Sequence, residues 1–387
     1  MASKTKPTTR LPSTSPARIE LWVRAGGRCQ FKGCNRDLVD DLNVDWRQLF
    51  VGELAHVVAA ADGGPRPDAT LTAEQKNDIG NQLLLCQHCH ALIDNRRLEA
   101  EFSRERLLEY KAEHELRIKQ LTSIAPEHQS TVIRMLGQIR GNVPSVSPAA
   151  VRTAVVKESG RFPRYPFDST QVDIDLRQMD DQMLAYWDTA RRTIDARLAA
   201  LLAPAMDGGT VSHVSLFALA RIPLLAYLGY ALGDKIPTVI YEKQRTEGEI
   251  WGWTEDGPAL AFRVPELLQR PRRLAAILLP LSGEIRDEML PEAIRQDHDI
   301  YRVELDGTEP GRGIVRSAVS LAAFRDAYQR TLRRLERAGY QHLVLIPALP
   351  MSAAVVIGRE HLRGITPPTD IYDFDGSSYT MALTIGN

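Results

Sequence analysis

The four cysteines of this chain fall into two short pairs, Cys29 with Cys34 around "QFKG" and Cys86 with Cys89 around "QH". Two such pairs are what a tetrahedral four-thiolate zinc site needs, because each folds in a tight turn that aims both sulfurs at one ion. Gly26, Gly27 and Gly33 give the first turn its backbone freedom. The spacing predicts a small zinc-stapled domain near the N-terminus. It also limits what the ion does. Zinc held by four thiolates has no open position and cannot activate water. Any chemistry needs a second site, built from polar residues that the knuckle holds in place.

A chain of 387 residues exceeds one typical core, and two or three domains are expected. Hydrophobic residues at 44% and charged residues at 25% mark a globular protein rather than a disordered one. No apolar run approaches the length of a membrane span. The opening "MASKTKPTTRLPSTSPAR" lacks the apolar stretch of a secretory signal, so a cytoplasmic location is expected. In a reducing compartment, clustered thiols argue for metal before disulfides. The net charge of -1 announces no nucleic-acid partner. Lys4, Lys6, Arg10 and Arg18 make the tail basic; phosphate contact and a solvated tail are both open readings.

Three zones follow. The first, 15–121, holds every cysteine with His56, His88, His90 and His114, and closes on "SRERLLEYKAEHELRIKQL", a helix with Ser103 as its N-cap. The second, 122–166, is rich in Pro, Gly and Ser and reads as a linker with a short helix at "STVIRMLGQI". The third, 167–387, alternates apolar strands with helices. "HVSLFALA", "PTVIYEK", "LAAILLPLS", "DIYRVELD" and "HLVLIPALP" are its strands; "IPLLAYLGYAL" and "SLAAFRDAYQRTLRRLERAG" are its helices. This pattern predicts βαβ units and a mostly parallel sheet, and its restart suggests two similar α/β halves.

Between the cysteine pairs, "GELAHVVAAADGGPRPD" reads as a short β-ribbon that carries His56 and breaks at Asp62-Gly63-Gly64-Pro65. Asn81 and His90 follow, and Asp94 stands four residues after His90, on the same helix face. The residue before His56 is Ala55, and Glu53 lies two further back on the same strand face. His88 and His114 read as surface histidines. Arg96, Arg97, Arg104, Arg106 and Lys111 are candidates for DNA phosphates, with a solvated face as the equal alternative.

Taken in order, Cys29, Cys34, His56, the "DGG", Asn81, Cys86, Cys89 and His90 resemble the HNH endonucleases over about the first 115 residues. The resemblance implies a ββα-metal fold. His56 would be the general base that deprotonates water, a task suited to an imidazole near its ordinary pKa. Asn81 would bond to the loop carrying His56. His90 would bind a catalytic Mg²⁺ or Mn²⁺ that neutralises the scissile phosphate. Many members carry a metal ligand where this chain has Ala55, so Glu53 or Asp94 must supply the missing oxygen.

In the third zone, ligands are expected at strand carboxyl ends. "PLSGEIRDE" offers Ser282 and Gly283, and "IPALPMSAAVVIGRE" offers Pro350, Ser352 and Arg359. "YEKQRTEGEIWGW" offers Lys243 and Arg245 for phosphate, with Trp251 and Trp253 for stacking. With the doubled pattern and the closing "DIYDFDGSSYTMALTI", these stretches resemble the SAVED domain, a fusion of two CARF-like, Rossmann-like halves that senses cyclic oligonucleotides. The whole chain resembles an HNH–SAVED effector of CBASS, a bacterial anti-phage system. That implies activation by a cyclic oligonucleotide, a dinucleotide by preference, through a homo-oligomer that cuts double-stranded DNA. Two other readings stay open. One is a modification-dependent restriction enzyme whose C-terminal part reads DNA; the other is a non-enzymatic zinc-knuckle regulator.

Overall fold

The computed structural model describes residues 16–41, 48–61, 63–125, 128–183, 185–206, 211–244, 248–253, 259–266 and 273–386. The chain divides into two compact units, Met1–Ala125 and Pro126–Asn387. Lys4, Lys6 and Arg10 of the basic tail, and Asp62 of the "DGG", lie outside the described residues.

The first unit is built on a two-stranded antiparallel ribbon, Gly52–His56 against Gln82–Cys86, followed at once by the helix Gln87–Ile93. The ribbon partner is therefore not local: it returns after a long excursion, with His56 opposite Gln82 and Gly52 opposite Cys86. Gln30 adds a third edge, its backbone N–H donating to the Leu84 carbonyl at 2.9 Å and its side-chain oxygen accepting the Leu84 N–H at 2.7 Å. The helix Arg104–Thr122 begins where Ser103 Oγ accepts the Arg106 N–H at 3.3 Å, the cap expected there. Its buried residues, Leu107, Tyr110, Lys111 and His114, follow the spacing of one helical stripe. Two expectations fail on that stripe. His114 is not a surface histidine; it bonds through Nε2 to the Ala25 carbonyl at 2.9 Å, and burial lowers its pKa. Lys111 is buried and held by Glu115 at 2.5 Å, so it faces no phosphate.

The second unit contains two sheets. In the first, the parallel order is Phe162–Arg164, Gln129–Gly137, Val214–Leu219, Thr238–Tyr241, and Ile174–Leu176 also pairs in parallel with the far end of Gln129–Gly137. In the second, Asp299–Arg302, Leu274–Pro280, His342–Ala348 and Thr369–Phe374 run parallel, and Tyr379–Ile385 returns antiparallel at the edge. The helices Ile222–Leu232 and Met351–Arg359 pack on each other, and each also touches the other half's strands.

Of the linker expected at 122–166, all but its first four residues belong to this unit. "STVIRMLGQI" is not a helix but a strand in the middle of the first sheet, buried along nearly its whole length. Both faces of a central parallel strand are covered, so it reads as a continuous apolar run, which periodicity alone does not separate from a buried helix. The proline-rich residues that follow start the helix Pro148–Ser159, with Pro148 in its first turn and Ser147 as its cap.

Arg134, 1% exposed, sits on that central strand. Its Nε donates to Asp173 Oδ2 at 2.9 Å and its Nη1 to the Ser169 carbonyl at 2.6 Å, while Tyr165 covers its guanidinium at 5.1 Å. One buried cation thus organises the loop 165–173. Arg134→Met leaves the buried Asp173 with the backbone N–H of residue 134 but no countercharge, and should lower the unfolding free energy of this unit by about 3 kcal/mol, read by urea denaturation.

Candidate functional site

The four cysteines converge. Their sulfurs all lie within 4.8 Å of one another, with Cys29, Cys86 and Cys89 buried and Cys34 half-buried. Tetrahedral zinc with Zn–S bonds of about 2.3 Å would hold its sulfurs about 3.8 Å apart; Cys34 and Cys86 stand at 3.9 Å. Burial pushes the Cys29 thiol up to about 11 and raises that of Cys89 as well. Against burial, hydrogen bonds from its neighbours lower the Cys86 thiol, while Cys29 and Cys89 become thiolates readily only beside a cation; with the sulfur spacing, the donor set fits a structural zinc ion. Among the described residues this is the one convergent group of three or more metal-ligating side chains.

The ribbon and helix bring His56, Asn81, His90, Glu53 and Asp94 together. Asn81 clamps the chain just past His56: its Oδ1 accepts the Val58 N–H at 2.9 Å and its Nδ2 donates to the Val58 carbonyl at 3.0 Å. Its backbone carbonyl accepts the Val57 N–H at 2.9 Å. The loop carrying His56 is therefore fixed, as expected of Asn81. The His90 ring is bracketed by acids, Nδ1 by Glu53 at 2.6 Å and Nε2 by Asp94 at 3.2 Å. The bond to Asp94, with help from Glu53, raises the His90 pKa although burial opposes it, and the bond to His90 lowers that of Asp94.

This arrangement separates the two acids that sequence left as alternatives. Adjacent ligands of an octahedral Mg²⁺, each at about 2.1 Å, sit about 3.0 Å apart; the Asp94–Nε2 edge at 3.2 Å has that span. Glu53 holds the opposite nitrogen, where a carboxylate orients a metal-binding histidine by fixing its tautomer. The residues thus fit a hard cation on the His90–Asp94 edge, open to waters and phosphate oxygens, with Glu53 behind. Glu53 and His90 do not close a three-ligand cluster with Asp94. Ala55 is fully buried in the core of this unit and contributes packing only.

Sequence reasoning passed over Arg66. Its backbone is left-handed, with φ 52°, and it is 9% exposed. Its guanidinium donates to the Val57 carbonyl at 2.7 Å and the Ile93 carbonyl at 2.6 Å, and lies 3.6 Å from Asp94 Oδ1. Arg66 therefore ties the strand of His56 to the end of the helix of His90. Nothing but the unusual loop "GGPRP" hints at this, because its partners are mostly backbone carbonyls. Arg96, Arg97, Arg104 and Arg106 are exposed, and Arg104 pairs with Asp68 at 3.1 Å.

The sensor residues expected from sequence do not form one site. Ser352, half of that expectation, is placed as foreseen at the first turn of Met351–Arg359, beyond a strand carboxyl end, next to Pro350. Its N–H is taken: Glu242 Oε2 accepts it at 2.7 Å. The Ser282 N–H is also used, donating to the Ala348 carbonyl at 2.7 Å, so that turn offers phosphate no free amide there. Gly283 beside it borders open space. Trp251 is buried against Phe217 at 5.2 Å and cannot stack on a base, whereas Trp253 and Lys243 are half-buried, Lys243 reaching the Ser145 carbonyl at 3.5 Å. Arg359 sits at the far end of its helix, bonded to Thr238 Oγ1 at 2.9 Å. It lines a cavity of about 510 Å³ with Arg325 and Arg333, away from Ser352. Arg245 lies outside the described residues.

Residues 194–385 match the family model described as the SMODS-associated and fused to various effectors sensor domain, SAVED. The second unit carries a SAVED sensor domain. The matched span starts inside the helix Tyr186–Met206, and the strand Gln129–Gly137, which pairs with Val214–Leu219, lies upstream of it. A search of curated proteins finds no match. Among solved structures, the chain is similar to the Cap4 SAVED/CARF-domain containing receptor of Acinetobacter baumannii with the cyclic trinucleotide 3'3'3'-cAAA, at 12% identity and TM-score 0.44, covering 76% of this chain and 61% of that one. It is also similar to the Cap4 receptor of Moraxella osloensis, at 10% identity and TM-score 0.38, covering 75% and 59%. The chain spans about three-fifths of the length of these receptors. No helix among the described residues is long and apolar enough to cross a membrane.

Proposed function

We propose that the chain is a metal-dependent DNA endonuclease of the HNH type whose SAVED domain switches it on when a cyclic oligonucleotide binds, an effector of CBASS-type anti-phage defence. The observation that carries this reading is the ββα scaffold that fixes His56 through Asn81 and sets the His90–Asp94 edge beside it, in a chain with a SAVED domain.

In this reading each residue has a task that its surroundings support. His56 would take the proton from the attacking water; Arg66 bonds its carbonyl, and Asn81 holds the next two residues, Val57 and Val58. His90 and Asp94 would hold a Mg²⁺ or Mn²⁺ ion, and the Glu53 carboxylate on the opposite ring nitrogen would fix the His90 tautomer. When bound, that ion supplies charge neutralisation at the phosphate and the leaving oxygen. The cysteine quartet, closed around zinc, keeps strand and helix in register and takes no part in the chemistry. Ligand binding acts by favouring one arrangement of a homo-oligomer over another, and only by its difference in affinity for the two.

The test is incubation of the pure chain with plasmid DNA, Mg²⁺ and a panel of cyclic di- and trinucleotides, 3'3'3'-cAAA included, followed by gel electrophoresis. Cleavage that needs both the ion and one nucleotide is the expected result. Cleavage that ignores every nucleotide and follows base modification of the plasmid would replace this reading with a modification-dependent restriction enzyme. Binding of DNA with no cleavage under any condition would leave a regulator.

A further inference from the structure

The two strand–turn–helix segments of the SAVED domain can be laid on each other at a constant offset, Val214–Tyr230 on Leu343–Arg359. Gly229 then falls on Gly358. Each has to be glycine because the other helix's backbone occupies the place of its side chain, Gly229 against the Val355 carbonyl and Gly358 against that of Ala226. Ala226 and Val355 are themselves equivalent, so the contact is reciprocal and a pseudo-twofold axis passes between the helices. The next strands obey it too. Val214 pairs with Thr238 and Leu343 with Thr369, which lays "TVIYE", 238–242, on "TDIYD", 369–373.

The acids that close these two segments do the same thing from opposite sides. Glu242 and Asp373 are both buried, each 8% exposed, and each reaches across to the start of the other half's helix. Glu242 accepts the Ser352 N–H at 2.7 Å. Asp373 Oδ2 accepts from Arg221, the residue before Ile222–Leu232, through Nε at 3.1 Å and Nη2 at 2.5 Å. Helix starts and guanidinium groups are places where an anion is stabilised. Here the anions are the chain's own. The Ser352 hydroxyl, 1% exposed, has no hydrogen-bond partner among the described residues and stands ready as a further donor.

We propose that Glu242 and Asp373 are internal anions that clasp the two SAVED halves together without ligand, and that the phosphodiester groups of a cyclic oligonucleotide displace them from the Ser352 amide and from Arg221. The proposal rests on the sensor reading above. Release of both clasps leaves the halves joined through the packed helices Ile222–Leu232 and Met351–Arg359 and their shared core, and frees the two helix starts to take the ligand. The clasps also set the ligand's charge: a neutral molecule has nothing to exchange for the carboxylates.

Isothermal titration of the full chain with 3'3'3'-cAAA and a set of cyclic dinucleotides tests it, comparing Glu242→Gln and Asp373→Asn with the parent. Each amide keeps the shape of its acid and removes the competing charge. The probe that binds the parent should bind each variant about tenfold more tightly, a change of about 1.4 kcal/mol. Arg221→Gln should weaken the same probe. Unchanged or weaker binding in folded amide variants overturns the clasp. A parent that binds no probe overturns the sensor reading instead, and hydrogen exchange then decides on the clasp. Faster exchange at the Ser352 amide and in the first turn of Ile222–Leu232 in the amide variants supports it; unchanged exchange overturns it.

Discussion

His56→Ala should cut DNA cleavage by a factor of about 10² to 10⁴, the usual contribution of a positioned general base, while zinc content, thermal unfolding and cyclic-nucleotide binding stay at parental values. The separation is expected because the His56 side chain ends the ribbon strand, whereas the fold of this region is held by backbone contacts. Val57 and Val58 bond to Asn81, and the His56 and Val57 carbonyls accept from Arg66. Alanine keeps all of them. Single-turnover cleavage of a plasmid at saturating Mg²⁺ and activator reads the loss. A variant that cuts within a few-fold of the parent would remove His56 from the reaction and with it the assignment of the Asn81 clamp.

Cys86→Ser should have the larger effect on the folded state. Structural zinc in small domains binds with an apparent free energy of about 10–16 kcal/mol, and in such domains that binding energy is folding energy. Cys86 also joins three elements, since it ends the ribbon strand, starts the helix Gln87–Ile93, and donates its N–H to Cys29 Sγ at 3.3 Å. Expected are loss of one zinc equivalent, low soluble yield, and loss of the first unit's cooperative transition in calorimetry. The second unit has its own core and should keep its transition. A chelator strong enough to strip the parent should reproduce the result without any substitution. A soluble, cooperatively folded and metal-free Cys86→Ser protein would show that the cysteines are packing residues.

The parts legible in sequence are those where chemistry and spacing coincide. Paired cysteines do converge, and Ser103 does cap a charged helix, each from local spacing; Asn81 bonds to the loop past His56, a placement read from the family resemblance and not from its own position. What stayed hidden depends on the other end of the chain. The strand Gln129–Gly137 is recognisable only once Val214–Leu219 lies beside it. Trp251 read as an exposed stacking platform because its neighbours are polar, yet Phe217 and Tyr241 arrive from elsewhere to bury it. Arg66, Glu242 and Asp373 act mostly on backbone groups or across the pseudo-axis, and no spacing rule reaches either.

The strand Gln82–Cys86 begins beside the Asn81 clamp and ends at one of the four converging sulfurs, five residues with no turn between them. If the chain is the proposed nuclease, aim and assembly are coupled through this one strand: without zinc, the loop carrying His56 would lose its register, and a half-assembled chain would not cut.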